Sequence, residues 1–173
     1  TCTSTTTTGC ELLIYDISNP ASPLFIGGAD NGGSTDNNNS VFVSGKYAYV
    51  GKANNTGTCN ATTTTGCELQ IYDVSSPITP IFVGGADDGG AGLNSVFVMG
   101  RYAYLGRNSA AGNDFQIFDI SNPASPLSIG GADPAVQVNS VFVSGRYAYV
   151  GDNGGTLRIY DVSNPYSPSQ SST

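Results

Sequence analysis

SVFVSGKYAYVG, residues 40–51, is the stretch that decides the fold. It returns as SVFVMGRYAYLG at 95–106 and as SVFVSGRYAYVG at 140–151. A second phrase occurs four times: LLIYDISNPASPLFIGGAD at 12–30, LQIYDVSSPITPIFVGGAD at 69–87, FQIFDISNPASPLSIGGAD at 115–133, and a clipped LRIYDVSNPYSPS at 157–169. Recurrence at this spacing is the mark of an array of one supersecondary unit. Within the unit, β-branched and aromatic runs are separated by Gly, Ser, Asn and Pro, which is strand composition with turn punctuation. The turns are read at Ser44-Gly45, Met99-Gly100 and Ser144-Gly145, each followed by Lys46, Arg101 or Arg146. Glycine there permits the positive φ of a tight hairpin.

The run Val41-Phe42-Val43 is apolar at successive positions, which predicts burial on both faces. Tyr47 and Tyr49 fall on one face of the next strand, Ala48 and Val50 on the other. Segments of the SNPASP type join the third and fourth strands, their paired prolines barring helix and central strand alike. The expected fold is all-β: a β-propeller-type array of four-stranded antiparallel blades, with a solenoid as the competing architecture. The chain forms one repeat domain, 1–173: a half-blade at 1–30, blades at about 38–87 and 93–133, and a partial blade at 138–173. The array is incomplete at both ends. Thr1–Asp16 parallels Thr58–Asp73 without a preceding hairpin, and Ser169–Thr173 stands where a fourth strand and its GGAD would be.

The net charge is -7, yet only 11% of residues are charged, and Lys and Arg total six. So few dispersed cations exclude a nucleic-acid footprint. No apolar run is long enough to span a membrane, and no leader precedes Thr1, as expected of a mature or excised piece. TCTSTTTTGCE (1–11) and TCNATTTTGCE (58–68) each place two cysteines eight positions apart. They read as local disulfides, Cys2–Cys10 and Cys59–Cys67, or else as buried thiols. A zinc site is disfavoured by the spacing and by the lack of any histidine. Disulfides point to an oxidising, extracytoplasmic setting.

Asp16, Asp73, Asp119 and Asp161 recur before the proline segments. They read as Asx-type turns, the alternative being a repeated metal site. Asp30, Asp36, Asp87 and Asp88 are weak candidates for calcium, which favours clustered oxygens, and no other cofactor is expected. N-glycosylation sequons begin at Asn38, Asn54 and Asn60, and the threonine runs 5–8 and 62–65 offer O-linked sites. Without histidine or a nucleophile-elbow context, no catalytic residue is assigned and no enzyme is expected.

The order V-x-G-[KR]-Y-A-Y-V-G followed by L-x-I-Y-D-[IV]-S-N-P-x-S-P resembles the LVIVD repeat of bacterial and archaeal surface proteins. The resemblance spans nearly the whole chain outside the threonine-rich loops, which depart from it. It implies a secreted or surface-displayed β-propeller, and it carries over no catalytic residue. The expected function is that of an extracellular structural or adhesive surface protein that meets copies of itself head to tail in a filament. The alternative is a lectin-like propeller binding surface glycans. Unpaired strand edges at the two ends motivate the filament.

Overall fold

The computed structural model describes residues 10–30, 37–53, 57–60, 62–87, 89, 92–108 and 112–172. Among them lie fourteen strands and no helix. β1 (Leu12–Asp16) and β2 (Leu24–Ala29) form a two-stranded antiparallel sheet, blade A. β3 (Asn38–Ser44), β4 (Tyr47–Lys52), β5 (Leu69–Asp73) and β6 (Ile81–Ala86) form blade B in sequential order. Blade C repeats this with β7 (Leu93–Met99), β8 (Tyr102–Arg107), β9 (Phe115–Asp119) and β10 (Leu127–Ala132). Blade D comprises β11 (Val138–Ser144), β12 (Tyr147–Asp152), β13 (Leu157–Asp161) and β14 (Ser169–Ser172). The sheets are antiparallel meanders within each repeat, and none closes on itself. A solenoid would instead pair strands of successive repeats. This is a propeller-type array of blades.

The hairpin register puts the turn one residue later than the sequence reading. Ser44 pairs with Tyr47, so Gly45 and Lys46 are the central residues. Gly45 has φ +59°, Gly100 φ +63° and Gly145 φ +60°. Glycine at the first central position is the requirement of a type II′ turn, whose twist matches that of the flanking strands.

The blades stack through alternating faces. Ala48, Val50 and Tyr72 of blade B bury against Leu12 and Ala29 of blade A. Tyr49, Leu69 and Ile71 on the other face of B meet Val96, Val98, Ala103, Leu105 and Phe118 of C. Tyr104, Phe115 and Ile117 of C meet Val141, Val143, Ala148, Val150 and Tyr160 of D. The alanine opposite each tyrosine leaves room for the neighbouring sheet's bulk, as the alternation predicts. The fourth strands pack on the next blade's proline segment. A Cβ on Gly84 would lie 2.6 Å from the Ala124 carbonyl oxygen, and one on Gly130 would lie 2.2 Å from that of Pro165. The first glycine of each Gly-Gly-Ala-Asp phrase is therefore a close-approach site between blades, and the second abuts the third strand of its own blade.

The last blade has a shortened fourth strand where the sequence reading expects none. The β13–β14 ladder runs from Asp161↔Ser169 to Ile159↔Ser172, whereas the equivalent ladder in blade B continues to Leu69↔Ala86.

Candidate functional site

The recurring aspartates act at the strand ends. Asp73 Oδ1 accepts from the Ser75 amide at 2.9 Å and its hydroxyl at 2.6 Å, while Oδ2 accepts from Lys46 Nζ at 2.8 Å. Asp119 accepts from Ser121 and Arg101 in the same way, and Asp161 from the Ser163 amide at 2.9 Å and from Arg146. These are Asx turns, each clamped to the cation of the preceding hairpin. The cation also lies over the adjacent ring, 5.0 Å for Lys46 on Tyr47 and 5.3 Å for Arg146 on Tyr147. The Lys46 ammonium, then the Ser75 hydroxyl and amide, hold the Asp73 carboxyl down to about 2. The Ser121 hydroxyl, then Arg101, hold Asp119 down to about 2, and Arg146 first and Ser163 next hold Asp161 well below the usual range. Asp16 accepts from the Ser18 amide at 2.8 Å, and among the described residues no Lys or Arg pairs with it.

The other predicted positions scatter. Cys59 and Cys67 are disulfide-bonded to each other. Cys10 is also disulfide-bonded, and Cys2 lies outside the described residues. Asn60 is exposed, its Oδ1 accepting from the Thr62 amide and hydroxyl, both at 2.8 Å. Asn38 is half-buried and donates its side-chain amide to the Glu11 carbonyl at 3.0 Å, bridging blades A and B. Asp87 accepts from the Gly89 amide at 2.7 Å, while Asp30 follows β2 and is exposed. Asn54, Asp36 and Asp88 lie outside the described residues. No three acidic or cysteine side chains group as a metal site among the described residues. Nor is any helix there long and apolar enough to cross a membrane.

Sequence reasoning passed over the residue that follows each YAYVG phrase. Lys52 and Arg107 are buried, and each amide bonds the carbonyl of a buried acid, Glu68 and Asp114, at 2.8 Å. In blade D the charge at this position is reversed: buried Asp152 accepts from Arg158 Nε at 2.9 Å and from the Thr156 amide at 2.9 Å. The signal was a charged residue closing a strand otherwise made of Tyr, Ala, Val and Gly.

The most distinctive surfaces are the two ends of the stack. Three features join successive blades at their first strands. Ser40 Oγ accepts from the Val96 amide and Ser95 Oγ from the Val141 amide, each at 3.0 Å. Asn39 and Asn94 donate to the Leu93 and Val138 carbonyls, each at 3.0 Å. Phe42, Phe97 and Phe142 form a file, centroids 4.8 and 5.0 Å apart. Where this interface exists, it is dry: Val96 and Val98 are each 5% exposed, Val141 5% and Val143 3%. In blade B the same positions, Val41 and Val43, are 57% and 59% exposed, since among the described residues blade A comprises only β1 and β2, which cover Ala48, Val50 and Tyr72 instead. The double-sided burial expected of Val41-Phe42-Val43 therefore fails here. A groove of about 320 Å³ lies beside them, lined by Leu12, Ile14, Tyr15, Val41, Val43 and Ala48, among others. At the opposite end, Phe142 is 54% and Leu157 57% exposed, although Leu69 and Phe115, which match Leu157, are fully buried.

A family model for the LVIVD repeat matches residues 8–30, 33–56, 91–133 and 136–173. The interval it passes over holds β5 and β6, which complete blade B. No curated protein matches the chain.

Proposed function

The chain belongs to the LVIVD-repeat family, and from that premise we propose that it is a non-enzymatic, extracellular structural or adhesive protein whose copies associate head to tail into a filament. One observation carries this reading. Val41 and Val43 on the first strand of blade B, and Phe142 and Leu157 on blade D, are exposed apolar residues whose equivalents are buried between the inner blades. Apolar surface of this kind, on an otherwise polar molecule, marks an association site. A contact between two different faces of identical subunits is heterologous, and it propagates as a filament unless the rotation closes a ring. The Cys59–Cys67 bond supports an oxidising setting. The test is negative-stain electron microscopy and sedimentation of the protein from its native source. Fibres are expected, and discrete monomers at every concentration would overturn the reading.

A further inference from the structure

The threonine-rich loop closed by Cys59 and Cys67 is wired into the junction between blades A and B. We propose that this disulfide is a redox latch: once formed it fixes the seating of blade A on blade B, and its reduction loosens that junction. This goes beyond the role proposed above and does not depend on it.

The latch is a series of three groups. Buried Tyr72 packs on Leu12 and Ala29 of blade A. Its hydroxyl donates to Gln70 Oε1 at 2.9 Å, and Gln70 Nε2 donates to the Thr64 carbonyl at 2.9 Å. Thr64 lies inside the loop that the disulfide closes, and its carbonyl also accepts from the Cys67 amide at 3.3 Å. Burial first, then the charges of Glu11 and Asp30 at the ends of the blade A strands, raise the Tyr72 hydroxyl above its ordinary value, so it stays protonated and donates. Gln70 is wholly buried, and a buried amide that loses its acceptor carries the full cost of desolvation. A displaced Thr64 therefore disturbs the Gln70 side chain, and through it the ring on which blade A sits.

The repeats supply internal comparisons. Blade C has Asn113, Gln116 and Phe118 where blade B has Cys67, Gln70 and Tyr72. It lacks both the cysteine pair and the ring hydroxyl, and among the described residues Gln116 Oε1 has no hydrogen-bond partner. Blade A has disulfide-bonded Cys10 but Leu13 in place of Gln70. Cysteine, glutamine and tyrosine thus occur together in blade B alone, where the series is complete. The disulfide also touches the fourth strand of that blade, since a Cβ on Gly85 would lie 3.0 Å from Cys67 Sγ.

The step that opens the latch is thiol–disulfide exchange with a dithiol. Cys59 is half-buried and Cys67 fully buried, so the attacking thiolate bonds to the Cys59 sulfur and Cys67 leaves as thiolate. The second sulfur of the dithiol then displaces Cys59. The dithiol ends as a disulfide, and its two protons end on the two cysteines.

Coupling is reciprocal: if the bond steadies the junction, the junction steadies the bond by the same factor. Tyr72→Phe removes only the hydroxyl, and Phe118 at the same place in blade C shows that the fold accepts a bare ring. The unaltered chain and this variant are equilibrated with graded ratios of reduced to oxidised dithiothreitol, and each cysteine is read by alkylation and peptide mass spectrometry. Tyr72→Phe is expected to lower the ratio that opens Cys59–Cys67 by about two- to tenfold, as for the loss of one hydrogen bond. The Cys10 disulfide is expected to keep its midpoint. In hydrogen exchange, Cys59→Ser with Cys67→Ser is expected to speed β1 and β2 by a similar factor and to leave blades C and D unchanged. An unmoved Cys59–Cys67 midpoint, an equal shift in the Cys10 disulfide, or unaltered exchange in β1 and β2 overturns the latch.

Discussion

Asp161 shows how much one repeated residue does. It caps the turn that opens the proline segment, and it anchors Arg146 from the preceding hairpin. All three paired aspartates are held below the usual carboxylate value by the cation and serine donors around them. The native state therefore binds fewer protons than the unfolded chain at mildly acid pH. Their stabilisation is complete above the unfolded value of about 4 and is lost as pH falls through their lowered values, about 2 for Asp73 and Asp119. The melting temperature is expected to drop between these limits, and Asp73→Asn should flatten that part of the profile in a thermal melt. The Asx reading of these aspartates was legible in the sequence, but the clamp to Lys46, Arg101 and Arg146 was not. Those cations are 15 to 27 residues away along the chain and meet the carboxylates only once the strands pair. Asn60 makes a second residue-scale prediction. It is exposed, and its side-chain oxygen already contacts the sequon hydroxyl of Thr62. Half-buried Asn38 holds two blades together through its amide. Peptide mass spectrometry of native material is expected to find glycan at Asn60 in preference to Asn38.

At the scale of the element, each fourth strand is shaped by what lies against it. The first glycine of each Gly-Gly-Ala-Asp strand carries no side chain because the next blade's proline segment fills the space where a Cβ would go. Gly84→Ala would push a methyl carbon against the Ala124 backbone at about 2.6–2.7 Å, and backbone cannot turn aside as a flexible side chain can. Overpacking of this kind costs about 1–3 kcal/mol. A chemical-denaturation midpoint unchanged by Gly84→Ala would contradict the close approach. The loop between β4 and β5 carries the other element-scale device. Cys59 and Cys67, eight positions apart in sequence, close a short loop. On the chain-entropy account a loop of this size stabilises by about 2.5 kcal/mol. The double substitution Cys59→Ser with Cys67→Ser should lower stability by about that amount in urea titration, without altering blade C or D.

At the scale of the whole molecule, equivalent residues have unequal worth. Val98 and Val43 occupy the same place in near-identical strands, yet one is 5% and the other 59% exposed. Removing two buried methyl groups costs about 1–3 kcal/mol by comparison with larger core deletions, and removing exposed ones costs little. Val98→Ala is therefore expected to destabilise the chain by about that amount, and Val43→Ala to leave the melting temperature of dilute protein nearly unchanged. Equal effects would mean that β3 is covered in the dilute chain.

The strands, their hairpins and the blade repeat were legible in the string because each is set by local chemistry. Val, Phe and Tyr favour the pleated backbone, glycine admits the positive φ of the turn, and paired prolines exclude helix. The alternation Tyr47-Ala48-Tyr49-Val50 also announced two faces, and both faces were found. The short β14 was missed because SQSS lacks strand composition. It pairs only because β13 offers it an edge. The buried charges at Lys52, Arg107 and Asp152 escaped notice for a related reason, since a charged residue at a strand end is ordinarily solvated. Which face is covered was decided by tertiary structure alone. Val41, Val96 and Val141 sit in nearly the same twelve residues, so nothing local distinguishes them. Burial is a property of the neighbour across the gap, and only the stacking of blades determines which valines have one.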